Sequence, residues 1–424
     1  MSAPAAPRAG ELARRLGLFD AVVVGLGSMI GAGIFAALSP AAAAAHGAVV
    51  LGLVVAAVVA YCNATSSARL AARYPASGGT YVYGRERLGS FWGYLAGWNF
   101  VVGKTASCAA MALTVGAYAW PSQARLVAVA AVVVLTAVNY VGVQKSAWLT
   151  RVTVAVVLAI LLILVAVCFS SRSLDLVSPA LGATAHGVLQ SAGLLFFAFA
   201  GYARIATLGE EVRDPARTIP RAIPIALAIT LAVYAAVALA VLGVLGPARL
   251  AASTAPLADA ARAVGAASLV PAVRVGAAVA ALGSLLALIL GVSRTTLAMA
   301  RDRHFPHTLA AVNQRYGVPH HAQLAVGVVV AILAATTDLR GAIGFSSFGV
   351  LLYYAIANAS AWTLTADEGR PPVAVPVVGL IGCATLALAL PLSSVVVGAG
   401  VASLGAAVFA ARRLYQRDRA PSSG

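Results

Sequence analysis

Two basic residues stand inside apolar stretches long enough to cross a bilayer. Lys104 lies near the middle of the stretch 90–118, and Arg204 lies close to the end of the stretch 185–207. A charge at membrane depth costs at least about 2.5 to 3.5 kcal/mol, so such residues are functional candidates by default. A desolvated lysine can release its proton, whereas arginine effectively cannot. The sequence therefore indicates Lys104 as a proton-coupling candidate and Arg204 as a secondary candidate.

Each of these residues also has a plainer explanation. Lys104 shares a helical face with Gly97, Ser107 and Cys108, so it faces protein, where it could act as a fixed strut that donates to carbonyl groups. Arg204 lies seven residues before Glu211 and could pair with it at the membrane surface. No Asp or Glu lies well inside any apolar stretch, so a proton relay made of carboxylates has no obvious residue.

Glycine interrupts two of the apolar stretches. The first contains Gly25, Gly27, Gly31 and Gly33 in the run GLGSMIGAGIF, and the sixth contains Gly201 in FFAFAGYARI. Each glycine weakens a helix by about 1 kcal/mol relative to alanine. Breaks at matching positions in two halves of a chain indicate a substrate site built from the exposed ends of half-helices. The alternative is that small residues let neighbouring helices pack closely.

The overall composition indicates a polytopic α-helical membrane protein. Of the 424 residues 61% are hydrophobic and 10% are charged, and the mean hydropathy is +0.92. A soluble domain has about 25% charged residues, so a soluble globule is excluded. Twelve apolar stretches are predicted to span the membrane. They are 20–43, 46–70, 90–118, 124–141, 149–170, 185–207, 221–246, 272–299, 322–338, 341–364, 373–391 and 393–411.

The distribution of basic residues predicts the orientation. The formal net charge is +16, and only six Lys or Arg residues fall in the loops on one side, with the remainder on the other once Lys104 is set aside. Basic residues accumulate on the cytoplasmic side, so we expect tails 1–19 and 412–424 in the cytosol and the chain in the cytoplasmic membrane. The N-terminus is interpreted as a cytosolic tail and not as a cleaved signal. The charge thus needs no nucleic-acid partner.

Four stretches resemble the amino acid-polyamine-organocation (APC) superfamily of permeases, over nearly the whole chain. GSMIGAGIF at 27–35 is similar to the first-helix signature of that family, and the run from 69 to 89 is similar to its loop between helices two and three. FFAFAGYARIATLGEEVRDPARTIPRAIP at 196–224 resembles the sixth helix and its following loop. SRTTLAMARDRHFP at 293–306 resembles the cytosolic end of helix eight.

The resemblance implies the leucine-transporter fold with 12 transmembrane helices. The transporter domain is then 20–411, with inverted repeats at about 20–170 and 185–364 and two extra helices in 373–411. The family's substrate carboxylate binds backbone N–H groups in the first break, and its ammonium binds carbonyl groups of both breaks. Carried onto this chain, the carboxylate donors are Gly31, Ala32 and Gly33. The ammonium acceptors are the carbonyls of Met29, Ile30, Phe199 and Ala200, beside Gly201 and Tyr202.

The aromatic residues at the second break and the histidines of one loop carry further expectations. Phe199 and Tyr202 flank Gly201 and are expected to act as gates or lids over the substrate. The loop histidines are expected to be cytosolic and solvated; they are His304, His307, His320 and His321.

Departures from the family pattern lead to the predicted mechanism. Some proton-coupled members have a lysine in helix five, where this chain has Val157, and carriers of cationic amino acids have a glutamate near the position of Gly103. We therefore predict a secondary active transporter of amino acids, neutral ones preferred, that works by alternating access with proton coupling through Lys104. Open alternatives are sodium coupling through Ser284, uncoupled exchange, and an amino-acid sensor or channel. The partners are the amino acid and the lipid bilayer, and no enzyme activity, cofactor or metal is predicted.

Overall fold

The computed structural model describes residues 16–74, 78–142, 147–171, 183–206, 208, 211–313 and 315–418. These residues form α-helices joined by short loops and 3₁₀ turns, and the described part of the chain contains no strand beyond isolated bridges. The helices are α1 Leu18–Met29, α2 Ala32–Ala36, α3 Leu38–Ala45, α4 Val49–Arg73, α5 Thr80–Leu88, α6 Ser90–Ala119, α7 Ala124–Tyr140, α8 Ala147–Ser170, α9 Ala185–Phe199, α10 Ala203–Ala206, α11 Pro215–Ala252, α12 Pro256–Ala263, α13 Val270–Arg301, α14 His320–Thr336, α15 Leu339–Trp362, α16 Ala374–Ala389 and α17 Leu392–Asp418.

The helices confirm the predicted class of polytopic α-helical membrane protein. Within the described ranges, ten helical segments are long and apolar enough to cross a membrane. Two shorter apolar helices, α14 and α16, fall where the ninth and eleventh spans are predicted. The count of twelve membrane crossings therefore stays a prediction.

Both predicted helix breaks are present. The first α-helix ends at Met29, and the chain resumes helical geometry at Ala32 after Gly31, whose ψ is −121°. In the sixth stretch α9 ends at Phe199 and a 3₁₀ turn, Ala200–Tyr202, leads into α10. Clustered glycine lowers helix stability at these points, and each break leaves backbone groups without a partner in their own helix.

Helix α6 runs through the middle of the fold and packs against α13, α15, α7 and α5. Its contact with α15 is close because both helices present glycine there: a β-carbon added at Gly103 would lie 3.3 Å from the Cα of Gly349. The hydroxyl oxygens of Ser107 and Ser346 lie 2.5 Å apart in the same interface. This packing fixes the part of α6 that carries Lys104.

One end of the bundle, where α1 begins and α4 ends, is rich in arginine and held by polar contacts. The N–H of Leu16 donates to the carbonyl of Glu211 at 3.1 Å, which joins the start of the described chain to the loop after α10. Arg151 of α8 donates from Nε to Asp20 of α1 at 3.0 Å. Arg87 of α5 donates to Glu368, in the segment between α15 and α16, at 2.8 Å. We call this side the arginine-rich end.

His304 is half-buried, and not fully solvated as expected from the sequence. Its Nδ1 lies 3.0 Å from the hydroxyl of Tyr81, which also donates to Asp302, and its ring packs edge-on against Tyr94. Burial lowers the pKa of His304. The sequence gives no sign of this environment because its aromatic partners, including Phe409, come from distant parts of the chain.

Candidate functional site

The two helix breaks lie directly against each other. A β-carbon at Gly201 would lie 2.3 Å from the carbonyl oxygen of Ser28, and one at Gly33 would lie 2.7 Å from the Cα of Ala198. These are backbone atoms, so the clash could not be relieved by turning a side chain. The space beside Gly33 is filled by the backbone of α9, so glycine at this position lets the two broken helices meet.

The residues predicted to bind substrate are brought together and closed off from solvent. Met29, Ile30, Gly31, Ala32 and Gly33 are buried on the first break. Phe199, Ala200 and Tyr202 are buried on the second, and Gly201 is half-buried. An open groove of about 510 Å³ lies elsewhere, between α7 and α14, and its lining is apolar. The structure thus has the breaks in a closed conformation.

The predicted carboxylate donors lie at the start of α2. The first N–H groups of a helix have no acceptor within the helix and carry a partial positive charge, which suits a carboxylate. Ala37 keeps helical backbone angles between α2 and α3, so the helical path continues beyond the short α2. Beside this start lies Ser284 of α13, whose hydroxyl donates to the carbonyl of Gly27 at 3.1 Å. A β-carbon at Gly31 would lie 1.9 Å from the Ser284 oxygen.

On the first break, a protein donor already occupies one of the predicted ammonium acceptors. The hydroxyl of Tyr234, in α11, donates to the carbonyl of Met29 and also lies 3.1 Å from the carbonyl of Ala198. Tyr234 is fully buried. It was missed from the sequence, where the sole signal is a tyrosine in an otherwise aliphatic stretch.

On the second break, the acceptor carbonyl of Ala200 is occupied by Lys104. The Nζ atom of Lys104 donates to this oxygen at 3.1 Å, and the hydroxyl of Tyr354, in α15, lies 3.5 Å from it. The Lys104 side chain is buried, with 6% of its surface exposed. The buried side chains of the described residues include no Asp or Glu to neutralise it. The carbonyl of a broken helix is thus the polar partner of a buried ammonium.

The two aromatic candidates pack inside the closed site. The ring of Phe199 lies 5.2 Å from that of Tyr234, and the ring of Tyr202 lies 5.1 Å from that of Tyr354. Both candidates thus contact the tyrosines that bond to the carbonyls of the breaks. A movement of α11 or α15 would therefore be transmitted to these rings through direct packing.

Arg204 pairs with an acidic residue that follows α10. Its guanidinium lies 3.8 Å from the carboxylate of Glu211, and about a third of its side chain is exposed. This geometry agrees with the pairing explanation of Arg204 at the arginine-rich end. As for metals, the described residues contain no cluster of three or more His, Cys, Asp or Glu side chains that could hold one.

Comparison with known proteins identifies the family. A family model described as amino acid permease matches residues 16–410. An uncharacterized transporter of Mycobacterium tuberculosis is 70% identical, over 98% of this chain and 95% of the relative. The branched-chain amino acid permease BcaP of Bacillus subtilis is 24% identical, over 85% of this chain and 83% of its own. The human cationic amino acid transporter 4 is 30% identical, over 85% of this chain and 61% of its own.

Proposed function

Because the chain belongs to the amino acid permease family, we propose that it is a secondary transporter that carries amino acids across the cytoplasmic membrane by alternating access. The observation that carries this proposal is the contact between the two broken helices, whose carbonyls of Met29 and Ala200 are held by side-chain donors. Such donors can be exchanged for groups of a substrate without breaking any regular helix.

The proposed architecture is the leucine-transporter fold. Its inverted repeats are about 20–170 and 185–364, its extra helices lie in 373–411, and both tails, 1–19 and 412–424, are cytosolic. The arginine-rich end then faces the cytosol, in keeping with the accumulation of basic residues on that side. The interactions of Leu16 with the loop after α10, and of Arg87 with Glu368, would hold that side closed.

A zwitterionic substrate fits the groups at the breaks. Its carboxylate would bind N–H groups of Gly31, Ala32 and Gly33 at the start of α2, and its ammonium would bind the carbonyls of Met29 and Ala200. Tyr234 and Lys104 now donate to these oxygens, and the substrate ammonium would replace them as the donor. Opening of the site is therefore part of binding.

We expect neutral amino acids to be preferred over cationic ones. A cationic side chain would need a carboxylate inside the membrane, where an unpaired charge is costly. The buried part of the described structure holds Lys104 and no carboxylate, so it would repel a second cation. Similarity to the branched-chain permease supports a neutral substrate, whereas the name of the human relative points to cationic ones.

We further propose that Lys104 couples transport to protons. It is buried, it bonds to a carbonyl of the second break, and the conformational change that opens this break would alter its solvation. Sodium coupling is the competing mechanism, in which Ser284 Oγ and carbonyls of the first break would form an oxygen site. The contact of Ser284 with the carbonyl of Gly27 supports this alternative. A sensor that binds without transport, a channel and an uncoupled exchanger are the remaining alternatives.

A thermal-shift screen of the purified protein tests the substrate assignment. A ligand that binds the folded state raises the unfolding temperature, and at about 100 times its dissociation constant it adds about 2.7 kcal/mol. We expect the largest shift from a neutral amino acid among the twenty amino acids and spermidine. Arginine or spermidine as the tightest ligand would refute the preference for neutral substrates, and no shift with any amino acid would refute amino acid binding.

A further inference from the structure

The carbonyl oxygen of Ala200, in the second break, is an acceptor for two ammonium groups: that of Lys104 and that of the proposed substrate. The ammonium of Lys104 donates to Ala200 O at 3.1 Å in the closed structure. The same oxygen is the proposed acceptor of the substrate ammonium. The hydroxyl of Tyr354 lies 3.5 Å from the same oxygen, beyond the usual hydrogen-bond distance, so Lys104 is its close side-chain donor and a substrate ammonium at this oxygen would lie directly beside the Lys104 ammonium.

We propose that protonation of Lys104 and binding of the amino acid exclude each other, so that the protein exchanges amino acid for proton across the membrane. This inference rests on the proposed function, because it takes Ala200 O as part of the substrate site. It adds the sign of the coupling: the proton and the amino acid travel in opposite directions.

The surroundings of Lys104 make simultaneous occupancy unfavourable. Its titratable neighbours are the thiol of Cys108 on its own helix, the phenol of Tyr354 on α15 and, stacked on Tyr354, the phenol of Tyr202 between α9 and α10. None of these supplies a negative charge at neutral pH. Two ammonium groups on one oxygen would therefore repel each other in a buried site with no counter-charge.

A neutral Lys104 removes this conflict and becomes a partner for the substrate. The uncharged amine has a lone pair, so it can accept a hydrogen bond from the substrate ammonium. On binding, Lys104 passes its proton to water on the side from which the amino acid enters, and no other bond is made or broken. After the amino acid leaves on the opposite side, Lys104 takes a proton from that side and restores its bond to Ala200 O.

The cycle therefore moves one zwitterion in one direction and one proton in the other. By linkage, protons weaken amino acid binding as much as the amino acid weakens proton binding. In a membrane whose proton gradient points inward, such exchange drives the amino acid outward. Symport would require the opposite: a site in which protonated Lys104 and the substrate ammonium are bound together.

The direct test uses proteoliposomes that enclose a pH-sensitive dye, with the membrane potential clamped by potassium and valinomycin. A pulse of external amino acid, chosen from the thermal-shift screen, is expected to raise the internal pH, with about one proton leaving for each amino acid that enters. A fall of internal pH would show symport and overturn the inference. Uptake without a pH change would overturn coupling, while absence of uptake would count against the proposed function itself.

A binding experiment tests the same exclusion without transport. The affinity for the amino acid, measured in detergent between about pH 6 and about pH 8, is expected to rise with pH, by up to about tenfold per pH unit. The number of protons released on binding, obtained by calorimetry in buffers of different ionisation enthalpy, should approach one at the lower pH values. Affinity that is unchanged or falls with pH would contradict the inference.

Two variants separate this role from a structural one. In Lys104→Gln, which keeps a donor but cannot titrate in this range, the protons moved per amino acid and the protons released on binding should both fall to near zero. The matched control is Ser107→Ala, which removes a different buried hydrogen bond, with Ser346, from the same helix. Ser107→Ala should still move about one proton for each amino acid transported. A Lys104→Gln protein that still moves one proton per amino acid would overturn the inference.

Discussion

The hydroxyl of Tyr234 lies within hydrogen-bonding distance of carbonyls on both broken helices, Met29 O on α1 and Ala198 O on α9. A phenol has one proton, so the two carbonyls share a single donor. Tyr234 thereby bridges the two halves of the proposed substrate site from a third helix, α11. A substrate ammonium has three N–H donors and could bond to both carbonyls at once. It would therefore replace the Tyr234 hydroxyl as their donor.

Tyr234→Phe should weaken the empty closed state and change substrate binding. Loss of the hydroxyl removes a bond worth about 0.5 to 1.5 kcal/mol and leaves the Met29 carbonyl open to the ligand. Thermal unfolding with and without the amino acid should show a lower unfolding temperature for the empty protein and a larger ligand-induced rise.

The matched control is Tyr118→Phe, in which a buried tyrosine loses its bond to the carbonyl of Phe35, 3.1 Å away, on the same broken helix but outside the break. It should lower stability while the ligand-induced rise stays unchanged. Equal ligand-induced rises in Tyr234→Phe and the wild type would show that Tyr234 takes no part in the site.

Gly201→Ala should abolish transport while the protein still inserts and folds. The new β-carbon would meet the Ser28 carbonyl at 2.3 Å, so the two breaks must separate. Gly291→Ala on α13 is the control, because nothing lies within 4 Å of its β-carbon position, and alanine there should stabilise the helix by up to about 1 kcal/mol. Normal amino acid exchange by Gly201→Ala in proteoliposomes would show that this contact is dispensable.

Gly31→Ala should be rescued in part by a change in α13. Its β-carbon would lie 1.9 Å from Oγ and 2.8 Å from Cβ of Ser284, and Ser284→Gly removes both atoms. A double-mutant cycle on the unfolding temperature should give a favourable coupling between the two changes. Effects that simply add would mean that Ser284 does not confine the first break.

Sodium-independent transport by Ser284→Gly and the wild type alike would favour the proton over sodium as the coupling ion.

The positions of the breaks could be predicted because their cause is local. Clustered glycine at Gly31 and Gly33, and Gly201 within its aromatic run, weaken the helix wherever the rest of the chain lies. The contacts that close the site could not be predicted, because Tyr234 reaches Met29 across 205 residues of sequence. The short helix α12 was also missed, since Gly246, at φ 68°, ends the preceding helical geometry and the polar residues after it are typical of a loop.

Lys104 and His304 show the same division between local and distant causes. An isolated lysine in an apolar stretch signals burial by itself, and the structure places Lys104 inside the protein, though its partner Ala200 was foreseen only as a substrate contact. His304 lies in a polar loop that indicates exposure, yet contacts with Tyr81 and Phe409 leave it half-buried. Sequence predicts which side chains are unusual, whereas packing decides which of them meet.

The pair of Arg87 and Glu368 at the arginine-rich end should make stability depend on acid. Hydrogen bonds from Arg87 and from the N–H of Thr365 lower the pKa of Glu368 to about 2. This pKa is below that of a glutamate in the unfolded chain, about 4.3. The ionised Glu368 therefore stabilises the folded protein above about pH 4, and this stabilisation is lost as the pH falls towards 2. Glu368→Gln lacks this stabilisation at every pH. On acidification from about pH 6 to about pH 3, the unfolding temperature of the variant should therefore fall less than that of the wild type.

Glu86→Gln serves as the control, because Glu86 pairs with its neighbour Arg85 and is 44% exposed. On acidification, the unfolding temperature of Glu86→Gln should fall by as much as that of the wild type. If the wild type and Glu368→Gln lose stability in parallel as the pH falls, the pair does not hold the arginine-rich end together.

Counterflow in proteoliposomes tests most directly whether the joined breaks form a transport site. Vesicles loaded with an unlabelled neutral amino acid from the thermal-shift screen should take up the labelled amino acid from outside, saturably and with a preference for the L form. Gly201→Ala, reconstituted in equal amount, should not. Ligand binding without counterflow in the wild type, or equal counterflow in the variant, would contradict transport through the site at the two breaks.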